Sequence, residues 1–212
     1  MKVYQDLRVG PLTEEQERDF LSVVEGSLIG GWSRDRNRER ELNLSFYCFV
    51  CTKEKEREAA TLVLTRQEKP SEGFLWVPNI VPKDLGELTH DQYNLILTEF
   101  YDRFARPAAD LLRIPIELSS SEQTIENWFS PQVVRLLKIF AGAANKSTGA
   151  GHPNDRRRWF DFIIAAHHAE ENPDVGLLER WLREEGHFPE HVASNLIAQF
   201  EFGLALLRQF DS

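Results

Sequence analysis

The first apolar pattern along the chain has helical spacing. Its members are Phe20, Leu21, Val24 and Leu28. They follow Thr13 and Gln16, a pair that matches a capping box, because the threonine oxygen can accept from the third helical amide while the glutamine reaches back. A helix is therefore predicted from Thr13 to about Leu28, and Gly30 and Gly31 end it.

The period then changes to alternation. Apolar residues occupy the even positions Leu42, Leu44, Phe46, Cys48 and Val50, with Asn43, Ser45 and Tyr47 between them. Alternation of this length predicts a half-buried strand. Further strands are predicted at 59–66 and 74–77, and an edge strand at 114–118. Pro78 and Pro82 bracket residues 79–81, which are expected at an edge or outside a ladder because proline donates no hydrogen bond.

Upstream of this strand, the even positions 34, 36, 38 and 40 are all arginine. A strand that began this early would place four guanidinium groups on one face, where they would suit an anion or an acidic partner. The interleaved acids Asp35, Glu39 and Glu41 favour a solvated segment instead, because alternating charge is typical of an exposed face.

Later in the chain the apolar spacing becomes helical again. Thr89 caps a helix that Pro107 kinks or restarts. From Thr124 onward only helices are predicted: 131–144, Asn154 or Asp155 to Glu170, 174–185 and 189–210. The predicted fold class is α+β, with a small antiparallel sheet of three to four strands in the N-terminal half, packed with helices, and an all-helical C-terminal half. We expect one domain over 1–212, and leave open a subdivision into 1–120 and 121–212.

Composition indicates a folded chain in water. Hydrophobic residues make up 42% of it, which is enough for a core. The chain has no run of 18 apolar residues and no apolar signal region, so neither a membrane span nor secretion is expected. Cys48 and Cys51 should point to opposite faces of a strand, which disfavours a zinc or redox site. A cytoplasmic location is therefore expected, and neither a cofactor nor a metal is predicted.

The charge balance is acidic, with 34 acidic and 25 basic residues and a formal net charge of −9. An acidic surface repels phosphate backbones, so non-specific nucleic-acid binding is unlikely. The excess charge serves either solubility or a basic protein partner, and the sequence leaves both open.

Residues 144–159 hold the densest polar chemistry. The anion-binding candidates are Lys146, Ser147, Thr148, His152, Arg156 and Arg157. A glycine-bearing loop leads into a predicted helix whose first turn carries several arginines, and a helix N-terminus with cations suits a phosphate or carboxylate. A Walker loop is not matched, since Asn145 stands where glycine should precede the lysine. Pairing with the protein's own carboxylates is the alternative.

A second set of candidates points to a protein partner. Trp181 is expected in the core, and the alternative is an exposed patch that it forms with Arg180, Arg183 and Phe188. The last helix carries Phe200, Phe202, Leu206 and Phe210 around more than one face. Such a helix is either central in a core or shared across a dimer interface.

The late histidines give a weaker signal. His167 and His168 are adjacent on a helix and should diverge by about 100°. Arg180 and His187 resemble the arginine and histidine that RNA-cleaving sites use, but Gly186 interrupts their helix. No HExxH motif is present, and no catalytic residue is assigned.

These observations favour a non-catalytic protein-protein interaction module that binds a protein partner or forms a homo-oligomer. The alternative is a phosphate- or nucleotide-handling protein that uses the loop and helix at 145–158. A third hypothesis is a metal-dependent or RNA-cleaving enzyme built from the late histidines. Whether the protein is an enzyme at all is left open.

Overall fold

The computed structural model of the protein describes residues 1–42, 46–67, 73–84, 86–171 and 173–211. Contacts between residues divide the chain into two compact units. One is Lys2–Glu122, the N-terminal unit, and the other joins Met1 to Gln123–Ser212, the C-terminal unit. The mixed α and β class and the antiparallel sheet are confirmed. The single-domain organisation expected from the sequence stays a prediction.

A six-stranded antiparallel sheet forms the centre of the N-terminal unit. Its strands are β1 (Leu7–Leu12), β2 (Trp32–Arg34), β3 (Phe46–Cys51), β4 (Ala60–Gln67), β5 (Gly73–Pro82) and β6 (Ile116–Leu118). They pair in the order β2-β3-β4-β5-β1-β6. The expected size of three to four strands is therefore wrong. Neither β1 nor β2 was predicted, because β1 contains Gly10 and Pro11 and β2 is too short to show an alternation. The predicted edge position of β6 is confirmed.

β5 runs through both prolines. Residues 79–81 pair with β4, beginning at Asn79 opposite Val63, so the expectation that they lie at an edge or outside a ladder is wrong. The register between the two strands shifts between Val63 and Thr65. Such a bulge leaves a residue outside the ladder, which explains how Pro78 is tolerated without a donor.

β3 confirms the strand predicted from alternation but not its half-buried character. The adjacent residues Cys48 and Phe49 are both fully buried, so both faces of the strand are covered there. Phe49 belongs to the core shared with the helices. Leu44, which the alternation placed on the apolar side, lies outside the described residues, as do Asn43 and Ser45.

Residues Arg36–Glu41 form a short helix, α2, and do not extend β3. The Asp35 side chain caps α2 by accepting from the Arg38 amide at 3.0 Å. The hypothesis that four arginines line one face of a strand is therefore wrong. Arg34 and Arg36 instead share the Glu25 carboxylate, at 3.0 and 2.5 Å.

Three helices pack against the sheet: α1 (Glu14–Ser27), α3 (His90–Phe100) and α4 (Arg106–Leu112). The capping box expected at Thr13 and the N-cap expected at Thr89 are both present, and Thr89 also forms a capping box with Gln92. A π-helical turn at Tyr101–Ala105 joins α3 to α4 just before Pro107, in agreement with the predicted interruption. The shared core includes Leu7, Phe20, Phe49, Leu62, Ile96, Phe100 and Phe104.

The described part of the C-terminal unit is built from helices. They are α5 (Pro131–Ala143), α6 (Pro153–His168), α7 (Val175–Glu184) and α8 (Glu190–Phe210), with 3-10 turns at Ile125–Asn127 and Gly149–Gly151. Its core is rich in aromatic rings: Phe129, Phe140, Trp159, Phe162, Phe188 and Phe200. Within the described residues, no helix combines the length and apolar character needed to cross a bilayer.

The start of α6 differs from the expectation. His152 is the N-cap, and its Nδ1 accepts from the Asn154 amide at 3.3 Å. Asp155 therefore lies inside the helix, buried, where its carboxylate accepts from Arg158 at 2.7 Å. The earlier start follows from Pro153, whose fixed φ suits the first helical position.

Candidate functional site

A groove of about 810 Å³ lies between α6 and α8 in the C-terminal unit. Four large apolar side chains along it face solvent. They are Phe160 and Ile164 on α6 and Phe202 and Leu206 on α8, and they are 46, 42, 71 and 56% exposed. We call these four residues the α6–α8 face. Exposed apolar clusters of this kind mark binding sites more often than scattered single residues do.

Helical spacing creates the face. Phe160 and Ile164 are four residues apart, as are Phe202 and Leu206, and side chains at this spacing lie on the same side of a helix. Phe210 continues the α8 row by one more turn and is 85% exposed. Each helix thus buries one apolar side in the core and exposes a second, which the sequence showed for α8 as apolar residues on more than one face.

The two helices run in the same direction along the groove. Near their first turns, Arg156 and Asn195 both line it. Near their ends, His167 Nε2 lies 2.6 Å from Asp211 Oδ2. The polar end of the groove therefore lies next to Arg156, and the two helices meet again at Asp211, which does not itself line the groove.

The end next to Arg156 is polar. Its lining includes Ser147, Thr148, Arg156, His191 and Asn195. The Arg156 guanidinium donates to two backbone carbonyls, those of Gly151 at 3.2 Å and Ala150 at 3.4 Å. In the described ranges, no carboxylate oxygen lies within 4.0 Å of it. Because arginine is always charged, neutral oxygens alone leave this cation available to an anion.

Lys146 has a different role from the one predicted for an anion site. Its Nζ donates to the Ala141 carbonyl in the last turn of α5 and lies 4.2 Å from the centre of the Phe188 ring. Burial lowers the pKa of the Lys146 ammonium. A cation that binds a free carbonyl at the end of a helix stabilises that helix, so Lys146 acts as a C-terminal cap of α5.

The six predicted anion-binding residues therefore divide into two groups. Ser147, Thr148 and Arg156 meet at the groove, whereas Lys146, His152 and Arg157 do not line it. The amide of Asn154, which a helix-N-terminal anion site would use, already donates to the His152 ring. The structure thus provides one cation and two hydroxyl groups at this end of the groove.

The predicted interaction patch around α7 is wrong for its two aromatic residues. Trp181 and Phe188 are only 7 and 3% exposed. Trp181 faces inward because it shares the apolar side of α7 with Leu178 and Leu182, and Phe188 stacks on Phe140 with ring centres 5.6 Å apart.

The two arginines of that predicted patch lie at the surface. Arg180 Nε donates to Glu184 at 2.6 Å, and Arg183 is exposed. The exposed aromatic residues of this unit lie on α6 and α8 and not on α7. The feature of the sequence that indicates them is the four-residue spacing of the apolar positions on those two helices.

The late histidines do not assemble a metal centre in the part of the chain that the structure describes. No group of three or more His, Cys, Asp or Glu side chains there is arranged to hold an ion. His187 follows α7 with a left-handed φ of 56°, so it does not continue the helix of Arg180. His191 lies at the polar end of the groove, apart from the neighbouring pair His167 and His168.

In the N-terminal unit, a buried arginine forms ion pairs and hydrogen bonds with groups of the same unit. Arg57 is buried, and its guanidinium donates to Glu99 at 2.7 Å and to the Gly30 carbonyl at 3.0 Å. Burial raises the pKa of Glu99, but the hydrogen bonds from Arg57 and Arg103 outweigh it and lower the pKa below its ordinary value. These groups are satisfied internally, so we assign them a structural role.

Comparisons of the chain with protein-family models, with curated proteins and with solved structures found no match.

Proposed function

We propose that this protein is a protein-interaction module that binds a helical partner surface along the α6–α8 face. One observation carries the proposal: two neighbouring helices expose Phe160, Ile164, Phe202 and Leu206 along a single groove. Aromatic side chains such as phenylalanine contribute much of the energy of protein interfaces. The proposed site of action is the cytoplasm.

The shape of the site supports a helical partner over a compact small molecule. Ligand pockets bury most of a small ligand's surface between their walls. Here Phe202 is 71% exposed and Leu206 56% exposed, so these walls project into solvent. Two parallel rows with a groove between them match the surface on which an amphipathic helix places its i, i+4 and i+7 side chains.

A photo-cross-linking residue tests the proposal. Benzoylphenylalanine replaces Phe202 in one variant and Leu111, in the N-terminal unit, in a control. The two native side chains are equally exposed, at 71 and 70%. Irradiation of cells that express the protein should give a covalent polypeptide adduct at position 202 but not at position 111.

The adduct must then be identified and its binding measured with purified components. We expect Leu206→Asp to weaken that binding at least tenfold, because a buried carboxylate opposes the apolar contact. Leu111→Asp should leave it unchanged. Equal adducts at both positions, or binding that survives Leu206→Asp, would contradict the proposal.

A phosphate- or nucleotide-handling role is the second candidate. It is supported by the Arg156 guanidinium, which has carbonyl partners only, and by the hydroxyl groups of Ser147 and Thr148 at the same groove. It is the weaker candidate because Lys146 is engaged elsewhere, and a phosphate dianion usually recruits more than one cation. Thermal-shift measurements with inorganic phosphate and ADP test it. A stabilisation that Arg156→Gln removes would favour this role.

A further inference from the structure

Charges of opposite sign lie along the direction of the α6–α8 face. Arg156 lines the groove, and its guanidinium donates to two backbone carbonyls. Asp211 does not line the groove but follows its last lining residues on α8; its side chain is 55% exposed and contacts His167. A carboxylate can accept several hydrogen bonds, so Asp211 retains capacity for a further donor.

The apolar residues lie midway between these two charges. Asn195, which lines the groove beside Arg156, precedes Asp211 by sixteen residues, or about 24 Å along α8. The midpoint is at Gly203, flanked by Phe202 and Leu206. A two-fold axis through this midpoint would bring Arg156 of each copy to Asp211 of the other. It would also place the two apolar rows against each other.

The groove is also free of the negative charge that dominates the chain. Although the sequence has 34 acidic residues, no carboxylate is among the described residues that line it. Two copies that carry a net charge of −9 each repel at long range, but physiological salt screens such repulsion beyond about 8 Å. Contact at this face therefore does not bring carboxylates among the described lining residues against one another.

The size of the face is sufficient for a weak dimer. A helix as long as α8 extends about 30 Å, and two neighbouring helices present a width of about 20 Å. Each copy then contributes about 600 Å², and the pair buries about 1,200 Å², which is the lower limit for specific interfaces. Interfaces near this limit belong mostly to weak or transient complexes.

We infer that the partner on the α6–α8 face is a second copy of this chain, packed antiparallel about a two-fold axis near Gly203. This inference rests on the proposed function. Each interface then contains two equivalent ion pairs, Arg156 with Asp211, around a shared apolar centre. The projecting Phe210 of each copy lies next to the groove of the other, beside Arg156.

Sedimentation velocity of the full-length protein between about 1 and 200 µM tests the inference. We expect a monomer–dimer equilibrium with a midpoint in the micromolar range. Phe202→Asp should leave a folded monomer, and Leu111→Asp should dimerise normally. Wild-type protein that stays monomeric at the highest concentration would overturn the inference.

Charge reversal then tests the antiparallel arrangement. Arg156→Asp places two carboxylates together at each pair, and Asp211→Arg places two cations together, so each variant alone should dimerise about tenfold more weakly or worse. In a mixture of the two variants, both pairs become complementary again, and a heterodimer should form with nearly wild-type affinity. Arg157→Asp is the matched control, because that neighbouring arginine does not line the groove.

A mixture that remains monomeric while the wild-type protein dimerises would overturn the Arg156–Asp211 pairing. Recovery in the mixture also excludes misfolding of either variant as the cause of their separate defects. If the adduct at position 202 contains another polypeptide and the wild-type chain stays monomeric, the inference that the partner is a second copy is wrong, but the proposed function stands. If no adduct forms at all, both fail.

Discussion

The two units of this protein pair their buried charges in the same way. In the N-terminal unit, Glu17, Glu39 and Arg57 are buried, and each has a charged partner. In the C-terminal unit, Asp155 is buried and paired with Arg158, and Arg156 lines a groove without a carboxylate partner in the described chain. The difference between the units therefore lies in that groove and not in how charge is buried.

The two units differ in how their exposed apolar side chains are distributed. Those of the N-terminal unit, such as Ile29, Leu95 and Leu111, lie on different elements. In the C-terminal unit, Phe160 and Phe202 lie on neighbouring helices along one groove. Single exposed apolar residues are normal on a protein surface, and clustered ones point to a partner. This contrast is the reason for proposing that the interaction surface is in the C-terminal unit.

Alanine substitution of two phenylalanines on α6 should give the largest difference in stability between a core residue and a surface residue. Phe162 is fully buried and Phe160 is 46% exposed. We expect Phe162→Ala to lower the free energy of unfolding by about 4 kcal/mol, because it leaves a cavity in the aromatic core. Phe160→Ala should lower it by less than about 1 kcal/mol and weaken self-association. Urea denaturation and sedimentation measure the two effects. Similar losses of stability would show that Phe160 is a core residue.

In the N-terminal unit, the two carboxylates that contact Arg57 should differ in how much they stabilise the fold. The Glu99 side chain is 19% exposed and the Glu54 side chain 53% exposed. Glu99→Gln should destabilise the unit by about 3 kcal/mol at pH 7, because it leaves the buried Arg57 without its closest carboxylate. Glu54→Gln should cost less than about 0.5 kcal/mol. Hydrogen exchange of peptides from α3 reports both changes.

The effect of Glu99→Gln should also depend on pH. The folded state lowers the pKa of Glu99 below its ordinary value of 4.5. A carboxyl group with a lowered pKa contributes stability above its unfolded pKa and loses it as the pH falls through the folded pKa. The difference between the variant and wild type should therefore be full at pH 7 and shrink below about pH 4.5. A difference that stays constant down to pH 3 would show that the charge of Glu99 is not its cause.

Two glycines near the groove give the smallest predicted effect. Gly149 has a φ of 55°, and an added Cβ would lie 2.8 Å from Val192 Cγ1, whereas a Cβ at Gly142 in α5 would meet no atom within 4 Å. We expect Gly149→Ala to destabilise the unit by about 1–2 kcal/mol. Gly142→Ala should stabilise it by about 0.5 kcal/mol. Thermal unfolding followed by circular dichroism separates the two. Equal changes in Tm would contradict the role of the left-handed turn.

Local patterns in the sequence were sufficient for most of the secondary structure. The capping box at Thr13 and the N-cap at Thr89 are confirmed, as are the interruption near Pro107 and the helices that follow Thr124. Sheet size was not predictable, because β2 has too few residues to alternate. The path of β5 through Pro78 depends on a bulge opposite β4, which is a property of two strands together.

The candidate site was predicted only in part. The loop near Ser147 and the arginine at position 156 do lie at a groove, but Lys146 does not line it, because it caps α5 and contacts Phe188. Trp181 is buried, as the expected core position predicted, and it does not form the alternative exposed patch. A single helix can expose either side of its apolar pattern, so the sequence could not decide which aromatic residues face solvent.

The sequence by itself determined where α1, α3 and α5 begin and the mixed α and β class. These features depend on capping groups, on proline and on the period of apolar residues, which act over a few neighbouring positions. Only the tertiary structure decided that α6 and α8 lie side by side with four apolar residues exposed, and that Arg156 lines the groove between them. Those relations join residues far apart in the chain, and they are set by how the helices pack around a shared core.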